Sequence, residues 1–427
     1  MSTIYGVTSV LSVLRVQYQS REKLDRAITA GVDDALRYAR DRVPAYASPD
    51  YALPPMVDLD DVAKLPVLRK SDVLDAGVVP FHAPGYSRDN VHIYTTSGTT
   101  GRILEVWHDG GNYGHDRAAN IRRFAATQRY HPWSRLVHFK PFPLDTSWYQ
   151  RLGIYRREVI YSALPIRTRC ERLLAARPHA VIGYPVMLRD LLRSLTAAEL
   201  AQLGRTLRVV LTESEMLTPE LRGQLADGFG VPVFNEYSAY EALHIGFDCP
   251  EGQLHIAEDR CYVEVVDPDG NPVPDGVEGH VVVTGYRERA MPLLRYWLGD
   301  RAVRYSEPCT CGRSLRRLAL NTGRADDYVI LPDGERIYTG TFIGMAIGTP
   351  GVAECMVRQD RAGRIVVYLV PDARFGRDFD VLVEEARSWL YGSAARPFPV
   401  DFRKAEQLEL TAGGKARFVV SAYRPGT

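Results

Sequence analysis

The chain has 427 residues, and its 53 Lys and Arg nearly match its 52 Asp and Glu, leaving a formal net charge of +1. That balance leaves no electrostatic footprint for nucleic acid or an acidic surface. The length exceeds what one simple core organises, and six cysteines in a chain this long do not form a disulfide scaffold. No stretch reaches membrane-spanning length, and the opening MSTIYGVTSVLSVLRVQ lacks a basic start, a long apolar run and a small-residue cleavage site. A cytoplasmic location with no membrane partner is therefore expected.

From Ser20 to Arg42, apolar Leu24, Ile28, Val32, Leu36 and Ala39 recur at helical steps, and the segment stops before Pro44. Residues 45–90 read as a loop-rich approach in which LPVLRKSDVL resembles a short strand and a helix capped at Ser71 or Asp72. The run YTTSGTTGRIL, Tyr94 to Leu104, follows a strand-like VHIY and precedes another strand, ILEVWHD. Ser97, Thr99 and Thr100 supply hydroxyls, while Gly98 and Gly101 let the backbone turn, so Thr96 to Gly101 can wrap an anion with many donors. No lysine of the P-loop kind follows, which points to a nucleotide triphosphate site of another class.

Residues 112–129 read as a helix, and VHFKPFPLDTSWYQRLGIY is rich in proline and aromatics. Phe142, Trp148 and Tyr149 suit the wall of a small-molecule pocket, although such side chains also serve as ordinary core. Helices then alternate with buried strands through PHAVIGYP, Met187–Leu195, LRVVLTES, Pro219–Phe229 and VPVFNEYSAYE, implying a mostly parallel sheet with helical cover. Tyr184, Glu213, Ser214 and Tyr237 fall just after expected strands and are expected to share a crevice at their carboxyl ends. Beyond Asp267 the pattern becomes hairpin-rich. From residue 328 onward, strand, DG turn, strand, helix near Tyr338–Ile347, hairpin and helix at Asp380–Leu390 describe a small α+β domain of about 100 residues.

Cys249 and His255 flank a glycine-containing turn in FDCPEGQLH, and Cys309-Thr310-Cys311-Gly312 holds a close thiol pair. Together they offer the number of ligands that zinc takes in a closed tetrahedral site. Cys261, on the strand CYVEVV, is an alternative to His255, and buried thiols without metal remain the other reading.

TTSGTTG, FNEYSAYE, RYWLGDRA, GRADD and TAGGKAR occur in the order found in adenylate-forming enzymes, the superfamily of acyl-CoA synthetases, nonribosomal peptide synthetase adenylation domains and luciferases. Over roughly residues 60–420 the chain most resembles the short phenylacetate–CoA ligase group. The resemblance implies an α/β fold, with an N-terminal domain over 1–323 of mostly parallel sheets, helices and a β-rich subdomain. It also implies a zinc-bearing insertion near 245–315 and a small mobile α+β lid over 324–427.

The same resemblance assigns Thr96, Ser97, Gly98, Thr99, Thr100 and Gly101 to the ATP phosphates, with Glu213, Ser214 and Tyr237 around the adenine and Ser238 also at the ATP site. Asp300 accepts from the ribose, and Arg324 contacts ribose or phosphate. Glu241 holds Mg²⁺, Asp326 is the hinge, and Lys415 reaches the acyl carboxylate and α-phosphate. Some members of the group carry structural zinc where Cys249, His255, Cys309 and Cys311 stand.

This chain departs from the pattern in several places. Arg102-Ile103 follows the loop, Glu213-Ser214-Glu215 makes a bulkier adenine floor, and Ser238 and Tyr240 replace the usual small residues before Glu241. Tyr240, with Phe142, Trp148 and Tyr184, is a candidate for the acid pocket. No glycine-rich aryl-pocket stretch is recognisable, so phenylacetate itself is not implied.

The reading is an ATP- and Mg²⁺-dependent ligase that activates a small-molecule acid as acyl-AMP and transfers it to an acceptor, coenzyme A first. An amine acceptor, a non-carboxylate substrate such as nitrite, and a catalytically degraded nucleotide-binding protein stay open. A homodimer is compatible with this reading.

Overall fold

The computed structural model describes residues 10–47, 58–96, 104–140, 144, 146, 148–161, 164, 166–322, 328–333, 336–338, 342, 345–346, 348–393, 397–408 and 419–423. Helix α1, Arg21–Arg42, forms on the expected stripe and buries Leu24, Ile28, Val32, Ala35, Leu36 and Ala39. Each Leu, Ile or Val so buried contributes about 1.5–3 kcal/mol relative to exposure. The Val43 N–H closes on the Ala39 carbonyl, and Pro44, which has no N–H, ends the helix.

Helix α2, Lys70–Asp75, starts before Ser71: Asp72 lies inside its first turn and accepts the Arg69 N–H at 2.7 Å. The expected strand before it reduces to one bridge between Leu68 and Tyr296. Strands β1, Val91–Thr96, and β2, Leu104–Asp109, pair antiparallel from Val91↔Asp109 to Thr96↔Leu104. Helix α3, Gly110–Ala126, begins two residues earlier than expected because the Asp109 carboxylate accepts the N–H groups of Gly111 and Asn112.

In the next segment β3, Leu136–Lys140, leads through α4, Trp148–Arg151, to β4, Arg157–Tyr161. Then follow α5, Ile166–Ala176, β5, Ala180–Gly183, α6, Pro185–Ser194, and α7, Ala197–Gly204. The segment closes with β6, Val209–Thr212, and α8, Pro219–Phe229. The strands pair in parallel as β4-β3-β5-β6, the alternation expected from the sequence.

Pairing turns antiparallel afterwards. The strands are β7, Val233–Ala239, β8, Leu243–Asp248, β9, Leu254–Ile256, and β10, Cys261–Val266. They continue with β11, Glu278–Gly285, β12, Tyr296–Tyr305, and β13, Arg317–Thr322. Their order is β10-β11-β12-β13-β9-β8-β7.

The last segment holds the hairpin β14, Tyr328–Ile330, with β15, Arg336–Tyr338. A mixed sheet β18-β17-β16-β19 follows, built from β16, Val352–Gln359, β17, Ile365–Pro371, β18, Asp401–Lys404, and β19, Val419–Ser421, with helix α9, Phe379–Ser393.

The protein is thus a mixed α/β fold. It divides into two compact units, Met1–His131 with Phe234–Asn321 and Pro132–Val233 with Thr322–Thr427. One hydrophobic core lies in the first unit, from Leu24 to Leu318. The second unit has two, one from Val137 to Val233 and another from Val329 to Val419. Among the described residues no helix is long and apolar enough to cross a membrane.

Candidate active site and metal centre

The β1–β2 hairpin carries the glycine loop, and Thr96↔Leu104 is the last pair before it. Ser97, Gly98, Thr99, Thr100 and Gly101 lie outside the described residues. At the base of this hairpin the Tyr94 ring stacks on Tyr240, with centroids 5.2 Å apart and planes at 19°. Burial, then the neighbouring Tyr113, raises Tyr94 well above the usual phenol range, so it stays neutral.

Tyr240 belongs to the tip that joins β7 to β8, where Ala239 pairs with Leu243 and Glu241 stands between them. The stack therefore sets the loop's base beside Glu241. Tyr237 lies inside β7 rather than after it, and its hydroxyl donates to Asp300 Oδ2 at 2.7 Å. The Tyr296 hydroxyl donates to Glu241 Oε1 at 3.3 Å. Two motifs separated by 63 residues at the first bond and 55 at the second become one polar surface. Ser238 sits at the register shift of the same strand.

Behind the hairpin tip lies a network that no sequence motif announced. His108, 1% exposed, has Nδ1 2.7 Å from Glu288 Oε2 and Nε2 2.7 Å from the Tyr240 carbonyl oxygen. Glu288 also accepts from Asn112 Nδ2 and from the backbone N–H groups of Asp109, Arg289 and Ala290. Burial raises the Glu288 carboxyl, but the His108 hydrogen bond and charge, with the N–H groups of Asp109 and Ala290, outweigh it and hold it at about 2. Asp109 is raised, first by burial and then by the Glu288 charge. On another side of the tip, Arg260 donates to the carbonyls of His244 and Ala242 at 3.2 and 3.4 Å.

In the second unit, Glu213 follows the carboxyl end of β6 and is buried. It takes a hydrogen bond at 3.0 Å with His138 Nε2 and an ion pair with Lys140, both from β3. Lys140 and His138 gave no signal in the sequence, because nothing local marks a strand-end cation as a partner for a distant acid. Ser214 adopts a left-handed φ of 68°, a strained conformation for a residue with a side chain. Tyr184 is the buried residue just before α6. Trp148 opens α4, whereas Phe142 lies outside the described residues, as do Arg324, Asp326 and Lys415. A cavity of about 490 Å³ lies between α1 and Asp109, Asn112, Tyr286 and Arg289; it includes none of the expected ATP or acid residues.

The cysteine and histidine pairs do converge. Cys249 follows β8, His255 lies in β9, and Cys309 and Cys311 occupy the β12–β13 turn, which the Arg317↔His255 pairing folds back. Their ligand atoms all lie within 4.8 Å of one another. Cys249 Sγ is 3.9 Å from Cys309 Sγ, and Cys311 Sγ is 3.3 Å from His255 Nε2. His255 Nδ1 lies 2.9 Å from the Leu315 carbonyl, to which it donates; that fixes the tautomer with the Nε2 lone pair toward the thiols. Burial lowers His255 to about 4, so the ring is neutral, the form a metal binds. Burial pushes the Cys249 thiol up to about 12, and the nearby Cys311 and Cys309 add to the push. A divalent cation would offset that cost. Cys261 is not in the cluster; its Sγ faces the Ala257 carbonyl.

Comparison with known proteins follows the same lines. The model of the family described as AMP-binding enzyme matches residues 18–291. Phenylacetate–coenzyme A ligase of Thermus thermophilus is 28% identical over 349 residues, covering 78% of this chain and 77% of that protein. The ligase of the same name from Aromatoleum evansii is 25% identical over 374 residues, covering 80% and 81%. A solved 2-hydroxyisobutyryl-CoA ligase in complex with 2-HIB-AMP superposes with a TM-score of 0.81 at 18% identity, over 95% of this chain and 91% of that one. At that identity the superposition speaks to fold.

Proposed function

This chain belongs to the AMP-binding enzyme family, and on that premise we propose that it activates a carboxylic acid with ATP and passes the acyl group to the thiol of coenzyme A. The observation that supports the reading is the pair of bonds Tyr237–Asp300 and Tyr296–Glu241, with the Tyr94–Tyr240 stack, which link the FNEYSAYE and RYWLGD segments to each other and to β1. The relatives named as phenylacetate–coenzyme A ligases support the acid and the thiol.

In the first half-reaction a carboxylate oxygen attacks the α-phosphorus, the bond to the bridging oxygen breaks, and pyrophosphate leaves. The Thr96–Gly101 loop would hold the β- and γ-phosphates with backbone N–H groups and hydroxyls. Asp300, oriented by the Tyr237 hydroxyl, would accept from the ribose. Glu241 would hold Mg²⁺, which offsets phosphate charge when bound. Lys415 would stabilise charge at the transferring group, with Arg324 beside it and Asp326 as hinge. In the second half-reaction the thiolate attacks the acyl carbon and AMP leaves with the electron pair of the broken C–O bond.

Residues 324–427 would act as the lid that exchanges these two tasks, a reading supported by the separate core from Val329 to Val419. Tyr184 and Tyr240 would contribute to the acid pocket, with Phe142 and Trp148, and an aryl or other apolar acid suits that wall. Cys249, His255, Cys309 and Cys311 would form a closed structural zinc site, since four protein ligands leave no open position for chemistry.

The test is pyrophosphate release with ATP and Mg²⁺ across aryl, aliphatic and amino acids and nitrite, with and without coenzyme A or an amine. Release with an acid, followed by thiol-dependent turnover, is expected. Well-folded protein that releases none with any compound would overturn the reading.

A further inference from the structure

The oxygens facing His108 fix its protonation. Tyr240 offers a carbonyl, which only accepts, and Glu288 offers an oxygen of a carboxylate that already takes one side-chain and three backbone N–H groups. A neutral imidazole has one N–H, so one of its two 2.7 Å contacts would set lone pair against lone pair. Moving the proton onto Glu288 would instead neutralise an anion held by four other donors. Both conflicts vanish when His108 carries protons on both nitrogens and Glu288 is ionised, a charge-assisted pair in a site nearly closed to water.

Other polar and titratable groups surround the pair. Asp109 adjoins His108 in the chain and caps α3, while Asn112 of α3 donates its Nδ2 to Glu288 Oε2 at 2.7 Å and stands 3.4 Å from His108 Nδ1. Tyr94 of β1 presents its neutral ring at 5.7 Å. His92, also on β1, feels the His108 charge and is lowered, first by burial and then by that charge.

The second contact of His108 gives the pair a purpose. Tyr240 O belongs to the residue directly before Glu241, at the tip of the β7–β8 hairpin. From another direction Arg260 takes the carbonyls of Ala242 and His244. The tip is thus held by cations through its carbonyls, while its ring stacks on Tyr94 at the base of the glycine loop.

We infer that His108 is a positioning residue: a buried imidazolium, neutralised by Glu288, whose hydrogen bond to the Tyr240 carbonyl fixes the hairpin tip that presents Glu241 to magnesium. This rests on the reading of Glu241 as the magnesium carboxylate. A cation at this place holds a backbone carbonyl more tightly than a neutral donor. Partners of this indirect kind commonly set metal affinity by 10- to 100-fold, which puts the expected effect at roughly tenfold.

Two measurements test it. In protein labelled with ¹⁵N-histidine, the His108 signal, identified by its loss in His108→Gln and its shift in Glu288→Gln, should show two protonated ring nitrogens. One unprotonated nitrogen there overturns the proposal, and either variant alone is enough to assign the signal. In magnesium titrations of pyrophosphate release, His108→Gln should need roughly tenfold more Mg²⁺ and regain most of the wild-type turnover at saturation. Coincident titration curves with an active wild type overturn the clamp alone. Absence of release from the wild type overturns the functional reading and, with it, the magnesium role of the clamp, while leaving the nitrogen spectrum to report on His108 itself.

Discussion

Glu288→Gln removes the carboxylate charge that contacts His108 Nδ1 at 2.7 Å, and it keeps the volume. Glu288 stands at about 2 in the folded protein against roughly 4.3 for an unperturbed glutamate, and one unit is worth about 1.4 kcal/mol. Its ionised form therefore contributes on the order of 3 kcal/mol to stability. The sign follows from the lowered value: the contribution is complete above the unfolded value and is lost as pH falls from about 4.3 toward 2.

Substitution by glutamine also leaves the His108 cation without its partner and sets an NH₂ among N–H donors. At neutral pH the loss should reach roughly 3–5 kcal/mol, the usual result of breaking a buried pair from one side. The assay is thermal and urea unfolding of both proteins at neutral pH and again near pH 3. The transition that reports the first unit should separate widely at neutral pH, and the gap should narrow in acid. An equal gap at both pH values would refute the argument that an ionised Glu288 is what stabilises this site.

Four further outcomes follow from the same structure. Purified protein should contain one zinc per chain, and Cys311→Ser should lose the metal and lower the unfolding temperature; stoichiometrically metal-free protein of full stability would contradict the centre. Tyr237→Phe removes the hydroxyl on Asp300, worth about 1 kcal/mol, so the KM for ATP should rise roughly fivefold in steady-state assays. Gly31→Ala places a Cβ 2.8 Å from the Tyr286 ring, and the expected 1–3 kcal/mol of overpacking outweighs the gain of about 1 kcal/mol in helix propensity. Urea unfolding should show a net loss. Ile28→Ala, at a fully buried position of α1, should cost about 2–5 kcal/mol in the same measurement.

Local patterns wrote much of this fold in advance. Helix α1 follows its apolar stripe, α8 runs from Pro219 to Phe229 as its proline and apolar spacing indicate, and β14 and β15 pair antiparallel as the expected strand pair. Helix α7 has a sequence signal of its own, the capping box that Thr196 and Glu199 form at its start. Strand direction was less legible. The strand containing Tyr237 has the same buried character as its parallel predecessors, yet it pairs antiparallel with β8, because direction is set by the connection and partner rather than by side-chain pattern.

The site divides in a similar way. Cys249, His255, Cys309 and Cys311 were readable as two close pairs, and the pairing of β9 with β13 joins them. Tyr237 and Asp300 were readable through their motifs, but the bond between them was not. His108 and Glu288, separated by 180 residues, carry no local signature at all. Their relation exists only once β2 and the turn after β11 are packed together.

The central claim is that this chain makes an acyl-adenylate from ATP and an acid. The most direct measurement is mass spectrometry of the nucleotide products from ATP, Mg²⁺ and the acid that best supports pyrophosphate release, before and after addition of coenzyme A. The account predicts an acyl-AMP that disappears on addition of the thiol, giving AMP and an acyl thioester. ADP and phosphate as the products, or AMP formed without any acyl-adenylate, would contradict it.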